Sequence, residues 1–141
     1  MNYFWCKEYE PGVPATLDTA PFPSMLASFA NYTSRFSTYS AFSNFGVKLT
    51  YAELNDGAKR VAAYCQQELG IEKGDRVAVM MPNLLQYPLS VFGILHAGGV
   101  VVNVNPLYTA RELRHTLIDS GAKAIIICAN FAHTLQEVIA D

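Results

Sequence analysis

Charge is scarce in this sequence. Only 16% of its 141 residues are Asp, Glu, Lys or Arg, and twelve acidic against ten basic side chains leave a net charge of −2. With no basic excess to displace counterions from a phosphate backbone, a general nucleic-acid binder is excluded. Cysteine is scarce as well. Cys6, Cys65 and Cys128 are odd in number and far apart, which excludes a disulfide framework or a zinc ribbon and suits a reducing cytosol. No glycine-rich phosphate cradle of the form GxGxxG or GxxxxGK[ST] occurs. The opening Met1-Asn2-Tyr3-Phe4-Trp5-Cys6 lacks a basic n-region and runs into Lys7, Glu8 and Glu10, unlike a secretory leader.

Apolar residues, by contrast, are abundant at 51%, which excludes disorder. The length suits one domain or one subdomain, long enough to bury roughly two-thirds of its unfolded surface. From Val77 to Ala110 no charged residue occurs, and the stretch Leu84 to Val102 has the hydropathy of a membrane span. Pro82-Asn83, Gln86, Pro88, His96, Gly98-Gly99, Asn103 and Asn105-Pro106 interrupt it, however. A spanning helix needs about 20 predominantly apolar residues, so the run reads as a buried β-α-β unit.

Composition shifts near residue 46. Residues 1–45 hold eleven of seventeen aromatics, four of seven prolines and only five charged groups. They read as an N-terminal arm, a helix and a first strand, with residues 46–141 forming an α/β unit. Residues 11–23 are proline-rich and predict an extended arm on a surface. Leu26, Phe29, Ala30, Thr33 and Phe36 recur at helical spacing behind Ser24, a candidate N-cap. Tyr39–Ser43 and Val47–Thr50, joined by Asn44-Phe45-Gly46, predict a hairpin.

Thr50-Tyr51-Ala52-Glu53 and Thr109-Ala110-Arg111-Glu112 are capping boxes. The first opens a helix with Leu54, Ala58, Val61, Cys65 and Leu69 on one stripe, ended by Gly70. The second opens a helix carrying Leu113 and Leu117, closed by Gly121. Between them, Arg76–Met81 predicts a strand. Leu85, Leu89, Phe92 and His96 mark a helix with Pro88 in its first turn and Gly98-Gly99 at its end. Val100–Val104, apolar on both faces, reads as a central parallel strand. Ala124–Cys128 predicts a further strand, and Asn130 caps a last helix with Phe131, Leu135 and Val138 on one face. The fold class is therefore α/β, a partial doubly wound, mostly parallel sheet with flanking helices.

Ligands of such sheets bind at the carboxyl ends of the strands. There the turns are Met81-Pro82-Asn83, Asn105–Thr109 and Ala129-Asn130. Asn103, Asn105 and Tyr108 form the one polar cluster, either lining a cleft or satisfying turn backbone. His96, His115 and His133 are too scattered for metal ligands, and the cysteines read as packing residues. Asp119 with Ser120 lacks a histidine to complete a dyad, so capping is the simpler role. Lys73 and Lys123 precede strands, at the end opposite the expected cleft. No residue is assigned as catalytic, cofactor-binding or metal-ligating.

Residues 70–128, GIEKGDRVAVMMPNLLQYPLSVFGILHAGGVVVNVNPLYTARELRHTLIDSGAKAIIIC, resemble the opening of the adenylate-forming ligases, and LTYAEL at 49–54 resembles an early helix-start motif of that superfamily. PNLLQYP, VVNVNPLYT and NFAHTL are similar to the bacterial long-chain fatty-acid–CoA ligases, and WCKEYEPGVPATLD resembles their N-terminal arm. Ser40 departs from a common proline and His96 from a usual Lys or Arg.

The resemblance implies the N-terminal subdomain of an enzyme that joins a fatty acid to coenzyme A through an acyl-adenylate. ATP, magnesium and CoA would be its cofactors, with an inert fragment here and the catalytic motifs beyond Asp141. Apolar surface that later elements would cover and the aromatic, proline-rich arm of residues 1–23 predict a homo-oligomer; a cytoplasmic location is expected, with peripheral contact at the inner membrane because the implied substrate partitions into bilayers. A freestanding flavodoxin-like binding or signalling module, and an adenylate-forming enzyme for aryl or amino acids, are the alternatives.

Overall fold

A computed structural model describes residues 3–16 and 21–140. Residues 17–20 of the proline-rich arm lie outside the described residues. Before them, Phe4–Glu8 form a 3-10 helix with Tyr3 stacked on Trp5, and residues 9–16 are exposed.

Ser24 caps α1 (Met25–Arg35), its hydroxyl accepting from the Ala27 N–H. Phe29 and Thr33 are the buried residues of this helix, whereas Ala30, placed on the same stripe by its spacing, is exposed. β1 (Ser40–Asn44) and β2 (Val47–Thr50) pair antiparallel, with Asn44 opposite Val47, so the hairpin loop is Phe45-Gly46. Both loop residues have positive φ, 48° and 81°. These are the signs of a type I′ turn, whose twist matches the flanking strands.

α2 (Tyr51–Gln67) and α4 (Ala110–Ser120) each begin with a complete capping box. The Thr50 and Thr109 hydroxyls accept from the backbone N–H of Glu53 and Glu112, and those carboxylates accept from the threonine N–H groups at 2.8 Å. The backbone bonds, then the threonine hydroxyls, hold both glutamates below the ordinary carboxylate range. Gly121 ends α4 at φ 61°, a left-handed conformation that a Cβ disfavours. Thr50→Ala or Thr109→Ala is expected to cost about 1 kcal/mol. Urea melts showing no loss for either variant would place the helix starts elsewhere.

β3 (Arg76–Met80), β4 (Val100–Val104) and β5 (Ala124–Ile127) form a parallel sheet in the order β4-β3-β5. β3 is therefore the central strand, buried from Val77 to Met80. β4, expected at the centre, lies at an edge of this sheet with Val100 47% exposed. Its apolar character on both faces has another cause: both faces of the sheet are covered by helices. Val101 packs toward α2 and α3 (Gln86–His96), and Val102 and Val104 pack toward α4 and α5 (Ala132–Ile139).

The result is three layers. One core joins Ala62, Cys65, Ile71, Val77, Val79, Met81, Ile94 and Ala97. The second, on the other face, joins Ala78, Met80, Val104 and Leu113. A third cluster fixes α1 to the unit through Phe29, Leu54 and Ala58, with Phe29 stacked on Phe92 at 3.9 Å. Pro88 is the third residue of α3, where its missing N–H breaks no helical bond. Asn130 does not cap α5. A 3-10 turn over Ala129–Phe131 precedes the helix, the Phe131 N–H bonds to the Cys128 carbonyl, and Phe131 takes the N-cap position without a side-chain bond. No helix among the described residues is long and apolar enough to cross a membrane. The charge-free run is distributed over β3, α3 and β4.

Candidate functional site

The sheet brings three strand-to-helix turns to one end. α3 leaves β3 over one face, whereas α4 and α5 leave β4 and β5 over the other. With β4 and β5 on opposite sides of β3, the strand order reverses between β3 and β5, where a doubly wound sheet has its ligand crevice. On the other side of β3 a polar pair links α3 to β4. The Tyr87 hydroxyl, at the start of α3, donates to Asn103 Oδ1 near the end of β4 at 2.8 Å. Asn105 Oδ1 accepts from the Leu107 N–H at 3.0 Å, and the Tyr108 N–H reaches the Asn105 carbonyl at 3.1 Å, an Asx turn within a β-turn. Tyr108 is half-buried against the Met80–Leu113 core. The three residues are thus adjacent, and Oδ1 of Asn103 and of Asn105 each accepts a bond within the protein. Tyr87 is the member that sequence spacing missed, because it lies beside the stripe of Leu85, Leu89, Phe92 and His96.

The other two turns are tied down as well. The Asn44 side-chain amide donates to the Asn83 carbonyl, joining the hairpin to the β3–α3 turn. The Cys128 thiol donates to Asn130 Oδ1 at 3.4 Å. Beside these turns an apolar cleft opens between α2, α3 and β5, lined by Val61, Met81, Leu84, Leu89, Ile126 and Cys128. A wider, open depression lies at the start of α4, with Tyr108, Arg111, Glu112 and His115 on its rim. Its single carboxylate, Glu112, is held in the capping box. Among the described residues no group of three His, Cys, Asp or Glu side chains gathers into a metal site. Neither a triphosphate nor magnesium fits the donors these turns present.

The remaining candidates have structural partners. At the amino ends of the strands, Lys123 Nζ donates to Asp75 Oδ2 at 2.7 Å and to the Gly70 carbonyl at 2.9 Å. Lys123 holds Asp75 below the ordinary carboxylate range, and Asp75 raises the Lys123 amine. The pair staples β3 to β5 at the end away from the turns. Ser120 Oγ donates to the Leu117 carbonyl, so the hydroxyl beside Asp119 is engaged by its own helix. Burial pushes the Cys65 thiol up, away from the reactive thiolate.

His96 packs edge-on against Phe29 at 5.7 Å, with Nε2 buried and unpartnered. Burial, then the charge of Lys59, lowers its pKa from the ordinary histidine value. Because the folded value lies below the unfolded one, the stability it contributes is present above the unfolded pKa, about 6.5. That stability is lost as pH falls through the folded value. Urea midpoints should therefore drop between pH 7.5 and 5, and His96→Phe should flatten that part of the curve. An unchanged slope in the variant would assign the pH dependence to other groups.

The chain has counterparts among known proteins. The chain is 52% identical over 139 residues, 99% of its length, to a long-chain-fatty-acid–CoA ligase of Yersinia pestis, of which it covers 25%. It is 40% identical over 122 residues, 86% of its length and 21% of the relative's, to one of Bacillus subtilis. The chain thus spans about a quarter of the length of the curated relatives it matches. A fatty acyl CoA synthetase of Mycobacterium tuberculosis superposes on 80% of this chain with a TM-score of 0.75 and 32% identity, over 23% of its own length. The family model described as AMP-binding enzyme matches residues 29–141, and the chain belongs to that family.

Proposed function

We propose that this chain is the N-terminal part of an ATP-dependent long-chain fatty-acid–CoA ligase. The observation that carries the reading is identity of about half over nearly the whole chain to ligases of that description. In the proposed reaction a fatty carboxylate oxygen attacks the α-phosphorus of ATP and pyrophosphate leaves. The CoA sulfur then attacks the acyl carbon, and AMP leaves. Magnesium is proposed as a cofactor held outside these residues.

Within that protein, residues 1–45 would serve as arm, helix and first strand, and residues 46–141 as a scaffold subdomain. The engaged polar groups at the strand ends support this division of labour: Tyr87 with Asn103, Asn105 with its own turn, and Lys123 at the far end. The reading includes a cytoplasmic location with contact at the inner membrane, and self-association through apolar surface such as Val100 at the sheet edge.

The test is pyrophosphate release with ATP, magnesium and a long-chain fatty acid. Activity is expected from the longer protein and none from residues 1–141, because losing preorganised charge stabilisation removes what is usually the largest catalytic contribution. Fatty-acid-dependent turnover by residues 1–141 would place machinery in this chain. Silence from the folded longer protein would overturn the ligase reading.

A further inference from the structure

A buried imidazole nitrogen ordinarily has a hydrogen-bond partner. Nε2 of His96 is shut off from solvent by this chain's own residues and has none. The Phe29 ring of α1 meets the imidazole edge-on at 5.7 Å. Phe29 also stacks on Phe92 at 3.9 Å, and Phe92 precedes His96 by one turn of α3. Phe29 is thus lodged in a notch between two rings, one of which can take up a proton.

That contact carries much of the attachment of α1. Phe29 and Thr33 are the buried residues of the helix, and the Thr33 hydroxyl bonds within it, to the Ala30 carbonyl. Just beyond α1 the backbone is pinned. The Tyr51 N–H donates to the Tyr39 carbonyl and the Ala52 N–H to the Ser37 carbonyl, both at 3.0 Å. α1 therefore has a fixed root after Phe36 and one aromatic anchor along its length.

The charges around the notch oppose a cation. α1 carries a single charged side chain, Arg35, 5.1 Å from the Phe36 ring centre, and α3 has none besides His96. Lys73, before β3, lies against Gly98 just past α3. α2 brings Glu53, Asp56, Lys59 and Arg60. Glu53 is held in its capping box, and among the described residues no carboxylate pairs with His96. The other titratable groups of these helices are the phenols of Tyr32, Tyr51, Tyr64 and Tyr87 and the Cys65 thiol. Burial, then Lys59, disfavours the protonated ring. A charged imidazole gains hydration when the ring packed against it moves away.

We propose that His96 is an acid-sensitive latch: protonation of its ring expels Phe29 from the notch, and α1 swings away about Phe36, uncoupled from the α2–α3 scaffold. The device goes beyond the ligase reading and does not depend on it, and its test uses no substrate.

The measurement is amide hydrogen exchange of the 141-residue chain at pH 7.5 and pH 5, read as protection factors corrected for intrinsic exchange. At pH 5 the protection of α1 should fall at least about fivefold more than that of β3. His96→Phe keeps a ring in the notch and should leave α1 equally protected at both pH values. Phe29→Ala should leave it weakly protected at both. Lys59→Glu, at an exposed position, leaves the rings untouched and offers the imidazolium an anion, so it should shrink the fall. His115→Gln, at an exposed histidine of α4, should respond like the parent. No fall in the parent, an equal fall in α1 and β3, an undiminished fall in His96→Phe or Lys59→Glu, or a fall abolished by His115→Gln would each overturn the proposal.

Discussion

Ile94→Ala is expected to lower the unfolding free energy by about 2–5 kcal/mol. Ile94 has no exposed surface and packs from α3 into the core that joins α2 to Val77 and Val79 of β3. Removing its outer carbons forfeits their transfer free energy and leaves a cavity with walls set by two helices and a strand. Those walls cannot all relax toward one another. Folded domains have about 5–15 kcal/mol in total, so this one change consumes a large share. Ile118, on the outer side of α4 and 73% exposed, is the matched control, expected within about 0.5 kcal/mol of the parent when changed to Ala. Urea denaturation gives both values. A loss at Ile94 no larger than that at Ile118 would mean that the α3–sheet core is not packed as described.

Gly93→Ala should cost about 2 kcal/mol, although alanine is the better helix former by about 1 kcal/mol. A Cβ at Gly93 would lie 2.5 Å from Cβ and Cγ1 of Val61 and 3.0 Å from the Ala58 carbonyl oxygen. These atoms are backbone or within two bonds of it on a β-branched side chain, so α2 and α3 would have to separate. Gly57 lies on the facing helix and makes an instructive contrast. Its added Cβ would meet Leu89 Cδ2 at 2.5 Å, but that atom is the far end of a rotatable side chain. Gly57→Ala is accordingly expected to leave stability unchanged or raised, as the propensity gain offsets a rotamer shift. Val61→Ala should recover part of the Gly93→Ala loss, which a double-mutant cycle measures. Equal losses at the two glycines, or no coupling to Val61, would contradict the crossing geometry.

What was legible in the sequence divides by range. The two capping boxes are complete within four residues, and both form as read, because a threonine hydroxyl and a glutamate three positions on need only the first helical turn. Asn105 likewise acts within its own turn. Asn130 shows the limit of local reading: a 3-10 turn competes for the same backbone groups and displaces the cap. Strand order was not legible, because β3 and β4 are both β-branched and apolar, and only the crossovers decide which lies inside. The Tyr87–Asn103 bond was equally hidden. Each residue is an ordinary polar group in its own element, and the pairing exists only once α3 and β4 stand side by side.

The order β4-β3-β5 also bears on how the chain is made. During synthesis β3 emerges first and gains β4 as its first neighbour, but its other edge stays open until α4 has been built and β5 has followed it. A ribosome paused between α4 and β5 would hold a nascent chain with the strand that becomes most buried still half paired. The Asp75–Lys123 staple would still lack its anchor, because Lys123 leaves the exit tunnel immediately ahead of β5. The interval in which the chain most needs shielding from aggregation therefore ends only when β5 arrives.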